Sequence, residues 1–140
     1  MSKKLVVGNW KMNPTTLEEA KRIAVKTRSV AVKLDHTNVV ICPPLVFISV
    51  CTPKKKVANF QMGAQSVFFE EEGAYTGEVS VNMLKDIGVS YVIAGHSEER
   101  ERGDTDESVS KRIKAILEAG LTPIVCVGEK LRDNENGSHF

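Results

Sequence analysis

The sequence has few cysteines and no long apolar run, and both absences narrow the class of protein. Among its 140 residues are three cysteines, Cys42, Cys51 and Cys126, and no Cys-x-x-Cys pair occurs. Neither a disulfide framework nor a metal site is therefore expected, and each cysteine is predicted to be a small buried apolar residue. The apolar run that follows the first lysines stops at Gly8, well short of a signal-peptide core, and no stretch reaches the roughly 18 apolar residues of a membrane span. We expect a cytoplasmic protein with no membrane partner.

An excess of one charge is also missing. The chain has 19 Lys and Arg residues against 18 Asp and Glu residues, which gives a formal net charge of +1. Such a chain creates no field that would attract a polyanion, so no nucleic-acid partner is expected. Its 41% hydrophobic and 26% charged residues are typical of a globular domain with an apolar core.

Short β-branched runs alternate with helical patterns along the chain. The runs lie at 4–8, 38–42, 58–64, 91–94 and 122–127, so their starts are 34, 20, 33 and 31 residues apart. They are apolar on successive positions, which is typical of parallel strands covered by helices. The alternation therefore predicts an α/β fold made of successive βα units.

Helices are predicted between these runs from apolar spacing and terminal signals, at 16–34, 45–51, 80–87 and 105–119. Thr16 and Glu19 have the spacing of a capping box, and Ser80 and Asp104 are candidate caps of later helices. Two architectures fit the pattern: an open doubly wound sheet, or the first part of a (β/α)₈ barrel, which needs roughly 250 residues. After Gly128 the sequence holds too few large apolar residues for a covering helix. We therefore expect residues 1–140 to be the amino-terminal part of one larger domain.

Polar side chains follow the first and fourth predicted strands, where parallel α/β folds place their ligand sites. Asn9 and Lys11 come after the first strand, and His96 comes after the fourth. Lys11 could meet an anion, Asn9 could hydrogen-bond a polar substrate, and His96 is a candidate general acid and base. Taken singly, Asn9 and Lys11 also fit solvated loop residues, and His96 also fits a structural histidine. Dinucleotide, P-loop and nucleophile-elbow motifs do not occur in the sequence.

Five segments together resemble the triosephosphate isomerase family. They are Gly-Asn-Trp-Lys-Met-Asn at 8–13, Gly-Ala-Gln at 63–65, Gly-Ala-Tyr-Thr-Gly-Glu-Val-Ser at 73–80, Ala-Gly-His-Ser-Glu at 94–98 and Cys-Val-Gly-Glu at 126–129. The resemblance covers the whole chain but only about the first five βα units of that family's TIM (β/α)₈ barrel. It implies an enzyme of glycolysis and gluconeogenesis that interconverts dihydroxyacetone phosphate and glyceraldehyde 3-phosphate through an enediolate, without a cofactor or metal.

The resemblance also implies roles for particular side chains. His96 would hydrogen-bond the substrate carbonyl as a neutral imidazole. Lys11 would bring positive charge to the phosphate and the developing enediolate, with Asn9 beside it, and Glu98 would orient Lys11. Thr76, Tyr75 and Gln65 would lie at a homodimer interface, where Thr76 reaches the neighbouring subunit's site. The 15-residue loop at 66–80 is long for a simple connection, although it could instead pack on its own core.

Several features of the family do not match this chain. The family's catalytic base, a glutamate after the sixth strand, and its closing lid would lie beyond Phe140, and Glu129 matches a structural glutamate instead. Glu99 stands where the family usually has arginine, the segment 97–104 is one residue shorter, and Asp104 replaces a glutamate. Residues 1–140 alone are therefore expected to be inactive. The alternative is a non-catalytic half-barrel that binds a partner or assembles with another copy.

Overall fold

The computed structural model describes residues 3–128, which form alternating strands and helices. The strands are β1 (Lys4–Asn9), β2 (Thr37–Cys42), β3 (Phe60–Ala64), β4 (Val89–Ala94) and β5 (Thr122–Val125). The helices are α1 (Leu17–Ala31), α2 (Leu45–Cys51), α3 (Val81–Asp86), α4 (Ser97–Glu101) and α5 (Asp106–Glu118). The expectations for Glu129 and for the segment that follows it fall outside the described residues.

All strands pair in parallel, and their order in the sheet is their order in the chain, β1-β2-β3-β4-β5. A doubly wound sheet reverses its strand order at a switch point, whereas a (β/α)₈ barrel adds each strand beside the previous one. The sequential order therefore confirms the α/β class and identifies the curled sheet as the amino-terminal part of a TIM barrel.

The sheet carries apolar side chains on both faces because consecutive residues of a strand point to opposite sides. One face packs against the helices in a large buried cluster that includes Ala24, Ile41, Ile48, Phe60, Met62, Leu84, Val92, Val109 and Ile116. On the other face Val40, Cys42 and Ile93 form a second cluster, flanked by Val7, Tyr91, Ile124 and Cys126. In a barrel this second face is the interior.

The cysteines follow the expectation in part. Cys42 and Cys51 are buried free thiols, whereas Cys126 is only half-buried. Burial raises the pKa of the Cys42 thiol to about 12, so this residue acts as an apolar member of the interior cluster. Within residues 3–128 no helix is long and apolar enough to cross a membrane.

Several element boundaries differ from those predicted. Helix α1 ends at Ala31, three residues earlier than expected, and β4 begins at Val89, two residues earlier. β3 begins at Phe60, because Asn59 has a φ of 61°, in the left-handed region, and occupies a turn. At α1 only half of the predicted capping box forms: the Thr16 hydroxyl accepts a hydrogen bond from the Glu19 N–H at 3.3 Å.

The predicted cap of the last helix was wrong. Thr105, not Asp104, is the N-cap of α5, and it forms a capping box with Ser108. Asp104 instead lies 2.6 Å from the Arg112 guanidinium, in an ion pair whose two side chains are 10% and 16% exposed. The Arg112 guanidinium, on the following helix α5, therefore binds the carboxylate of Asp104, the residue that the local sequence predicted as the cap.

Candidate active site

The carboxyl ends of β1 and β4 bring together the polar residues predicted from the sequence. Lys11 follows β1, while His96 and Glu98 follow β4, where His96 caps the short helix α4. The Lys11 ammonium donates a hydrogen bond to Glu98 Oε1 at 2.9 Å, across 87 positions of sequence. Because β1 and β4 are not neighbours in the sheet, this contact spans the curled face on which the interior cluster lies.

Lys11 has an unusual backbone that two neighbours hold in place. Its φ is 52°, in the left-handed region that residues with a side chain seldom occupy. Asn9 Oδ1 accepts a hydrogen bond from the Lys11 N–H at 2.9 Å, and Gln65 Nε2 donates one to the Lys11 carbonyl at 2.8 Å. Gln65 also donates to the Cys42 carbonyl at 2.9 Å, which ties the Lys11 backbone to the end of β2.

The His96 imidazole is fixed by its role as a helix cap. Its Nδ1 accepts a hydrogen bond from the Glu98 N–H at 3.2 Å, and its side chain is 22% exposed. A nitrogen that accepts carries no proton, so the neutral ring holds its proton on Nε2. The second nitrogen is therefore a hydrogen-bond donor for a ligand.

Glu98 is held as an anion. Its pKa is lowered, first by the hydrogen bond from the Lys11 ammonium and then by the nearby charges of Lys11 and Arg102, while burial opposes the shift. Glu98 Oε2 lies 3.7 Å from His96 Nδ1. One carboxylate therefore contacts both the cation and the imidazole of the site.

The predicted interface residues fall into two places. Gln65 lies against the Lys11 backbone of its own chain, whereas Tyr75 and Thr76 are exposed on the loop 66–80. Within that loop the Phe68 ring lies 4.4 Å from the Phe69 ring and 4.8 Å from the Tyr75 ring, measured between centroids. The loop thus contains its own aromatic cluster and still presents Thr76 to solvent.

A charged cluster beneath the loop was not predicted. Glu99 Oε2 accepts a hydrogen bond from Ser66 Oγ at 3.2 Å and lies 3.7 Å from Arg112 Nη1, which also pairs with Asp104. In this chain the Glu99 carboxylate therefore lies beside two guanidinium groups, those of Arg102 and Arg112. The sequence feature that could have predicted this largely buried arginine is residue spacing in α5. Val109, Arg112 and Ile116 fall on one helix face, and Val109 and Ile116 are buried.

The described residues contain no group of three or more His, Cys, Asp or Glu side chains that could hold a metal ion. The site instead consists of an ammonium, an imidazole, a carboxylate and the Asn9 amide. Such a set suits an anionic substrate that contains a carbonyl group, because it offers a positive charge and neutral donors together.

Comparison with known proteins gives a consistent result. The family described as "Triosephosphate isomerase" matches residues 4–140. A triosephosphate isomerase of Thermoanaerobacter pseudethanolicus is 45% identical over 141 residues, covering 100% of this chain and 56% of the relative. Those of Endomicrobium trichonymphae and Solibacter usitatus are 43% and 47% identical, covering 100% and 98% of this chain and 56% and 55% of the relatives. The chain thus spans about half the length of the curated relatives it matches.

Proposed function

We propose that this chain, which belongs to the triosephosphate isomerase family, supplies the electrophilic and charge-stabilising half of an aldose–ketose isomerase site. The reaction is the interconversion of dihydroxyacetone phosphate and glyceraldehyde 3-phosphate through an enediolate. The observation that carries the proposal is the convergence of Lys11, Glu98 and His96 after β1 and β4, where a barrel holds its active site.

His96 acts as the electrophile in this proposal. Isomerisation moves a proton between two neighbouring carbons, and negative charge builds on the carbonyl oxygen as the first proton leaves. The Nε2–H of a neutral imidazole donates a hydrogen bond to that oxygen, and the bond strengthens as the charge develops. The bond from the Glu98 N–H to Nδ1, at 3.2 Å, keeps the proton on the nitrogen that faces the ligand.

Lys11 supplies the positive charge. Its ammonium is compact, and the Glu98 carboxylate 2.9 Å away limits where it can move. A triose phosphate carries a dianionic phosphate next to the carbons that react, so one ammonium can stabilise both the bound substrate and the enediolate. Because Asn9 uses its side-chain oxygen for the Lys11 N–H, its amide NH₂ remains as a donor beside the site.

The remaining chemistry requires a base. The resemblance places that glutamate, and the lid, in the portion of the relatives that this chain does not cover. We therefore expect residues 1–140 to be the amino-terminal part of a single barrel domain and to show no turnover alone, since loss of a general base costs roughly 10²–10⁴ in rate. We also expect the whole enzyme to be a cytoplasmic homodimer in which Tyr75, Thr76 and Gln65 lie at or near the interface.

A chimera tests the proposal. Residues 1–140 are joined to the carboxyl-terminal portion of the Thermoanaerobacter pseudethanolicus relative that this chain does not cover. We expect the chimera to isomerise glyceraldehyde 3-phosphate in an assay coupled to NADH oxidation, and the 140-residue chain to give no rate above background. A chimera that folds by circular dichroism but lacks activity would contradict the proposed site. Turnover by the chain alone at a rate near that of the relative would contradict the missing base.

A further inference from the structure

The side chain of Arg100 bridges the end of β4 and the first turn of α5. Its Nε donates a hydrogen bond to the Gly95 carbonyl at 3.0 Å, and its Nη1 donates to Asp106 Oδ1 at 2.7 Å. Arg100 lies in α4, so the guanidinium folds back onto the residue that directly precedes the cap of its own helix. None of the roles given above to the site residues uses this side chain.

The backbone that Arg100 contacts leaves no room for a larger residue. Gly95 has a φ of 73°, and a Cβ built on it would lie 3.0 Å from Val109 Cγ1 and 3.1 Å from Arg100 Nη2. The guanidinium therefore packs against the α-carbon of Gly95 while it holds the carbonyl of the same residue. The Gly95–His96 peptide is thus held through its carbonyl by Arg100 Nε, at 3.0 Å.

We propose that Arg100 is a positioning residue for His96, acting through the Gly95 carbonyl. The Gly95–His96 peptide sets the direction in which the imidazole leaves the backbone. That direction allows Nδ1 to accept the Glu98 N–H and keeps the proton on Nε2. The importance of this proton for catalysis rests on the proposed function, whereas the placing of the ring does not.

The two contacts of Arg100 have different roles. Asp106 has a side chain that is 95% exposed, and an ion pair to so exposed a carboxylate is weak and screened by salt. The bond to Gly95 is partly buried, and its loss would leave a carbonyl poorly satisfied beside the cap. The Gly95 contact therefore carries the positioning, and Asp106 only helps to hold the guanidinium over it.

The test compares three variants of the 140-residue chain by ¹⁵N NMR of the His96 ring. R100M removes the bond to Gly95, R100K keeps the positive charge but cannot span both contacts, and D106N leaves the bond to Gly95 intact. We expect the unaltered chain and D106N to show one ring nitrogen protonated, Nε2. In R100M the signals should indicate a mixture of the Nε2–H and Nδ1–H tautomers. R100K should give a smaller proportion of the Nδ1–H tautomer than R100M.

A purely structural role would look different. If R100M lowers the melting temperature but leaves the signals of both ring nitrogens of His96 unchanged, the proposal is wrong.

The activity of the chimera gives an independent measurement that does not need the spectrum of a destabilised chain. We expect R100M to lower kcat by roughly 10- to 100-fold while KM changes much less, because misplacement of a reacting group affects the transition state most. D106N should stay within about twofold, as expected for an exposed pair.

Equal kcat in R100M and the unaltered chimera would overturn the proposal. If the unaltered chimera proves inactive, the proposed function fails, but the NMR comparison still decides whether Arg100 positions His96. The two failures are therefore distinguishable.

Discussion

At the scale of single residues, Lys11 is the position where backbone strain and charge coincide. Its left-handed φ of 52° is stabilised by Asn9 and Gln65, and its ammonium is stabilised by Glu98. A strained residue persists only where its neighbours hold it, and such residues gather at functional sites. The contacts of Asn9 and Gln65 are thus directed at the Lys11 backbone, while Glu98 contacts the side chain.

The ion pair of Lys11 gives a pH prediction. Because the Lys11 hydrogen bond lowers the pKa of Glu98 in the folded chain, the pair adds stability above the ordinary glutamate pKa, and that stability is lost as the pH falls through the lowered value. We expect K11M to raise the pKa of Glu98 towards its ordinary value. We also expect K11M to reduce the melting temperature at pH 7, and to reduce it progressively less as the pH falls below the ordinary glutamate pKa. Carboxyl ¹³C titration and thermal melts provide the measurements.

The pair of Lys111 and Glu107 on α5 is the matched control for this prediction. Lys111 lies 2.7 Å from Glu107, and its hydrogen bond lowers the pKa of that carboxyl in the same way. K111M should therefore raise the pKa of Glu107 and leave that of Glu98 unchanged. A Glu98 pKa that does not respond to K11M would mean that Lys11 does not hold this carboxylate.

At the scale of elements, the cluster around Arg112 joins α5 to the loop 66–80. Its ion pair with Asp104 has little exposure, and Ser66 at the start of the loop bonds to Glu99 and lies within 3.4 Å of Arg112. Within residues 3–128, Arg112 Nε is buried without a hydrogen-bond partner. The Arg112 guanidinium stabilises the folded chain mainly by neutralising carboxylates that would otherwise be partly buried without a partner of opposite charge.

Removal of Arg112 should therefore be costly. We expect R112M to lower the free energy of unfolding by about 3 kcal/mol, because it leaves the poorly exposed Asp104 carboxylate without its partner. The neighbouring K111M variant, on the exposed side of α5, should leave the denaturation midpoint nearly unchanged. Urea denaturation of both variants checks this. A loss in R112M no larger than that in K111M would show that the cluster does not support the loop.

Sequence signals predicted the elements better than their ends. The strand at 58–64 was predicted two residues too long, because the apolar pattern did not show that Asn59 takes a left-handed conformation, which asparagine adopts more readily than most residues. Asp104 and Thr105 are both good capping residues. Which of them caps α5 depends on Arg112, about two helical turns further along the chain, because Arg112 pairs with the Asp104 carboxylate. The contact of Gln65 with the Lys11 carbonyl could not be predicted, since it requires the unusual backbone at Lys11.

At the scale of the whole molecule, the order of the strands decides how the candidate site is assembled. β1 and β4 bring their polar residues together only because the sheet curls as it adds strands in sequence. Among the described residues β1 and β5 each pair on one side, and the interior cluster of Val40, Cys42 and Ile93 lies between them. The position of Asn9, Lys11 and His96 at strand ends was predictable from the βα repeat, whereas the contacts of Arg112 with Glu99 and Asp104 were not.

The most direct test of the proposed site is the kcat/KM of the chimera with His96 replaced. We expect H96Q to lower kcat/KM for glyceraldehyde 3-phosphate by roughly 10²–10³, the usual cost of losing one donor to a developing oxyanion. His36 is the matched control, since it is an exposed histidine before β2, outside the site. H36Q should therefore retain the activity of the unaltered chimera. Equal kcat/KM values for H96Q and H36Q in folded chimeras would contradict the assignment of His96 as the electrophile.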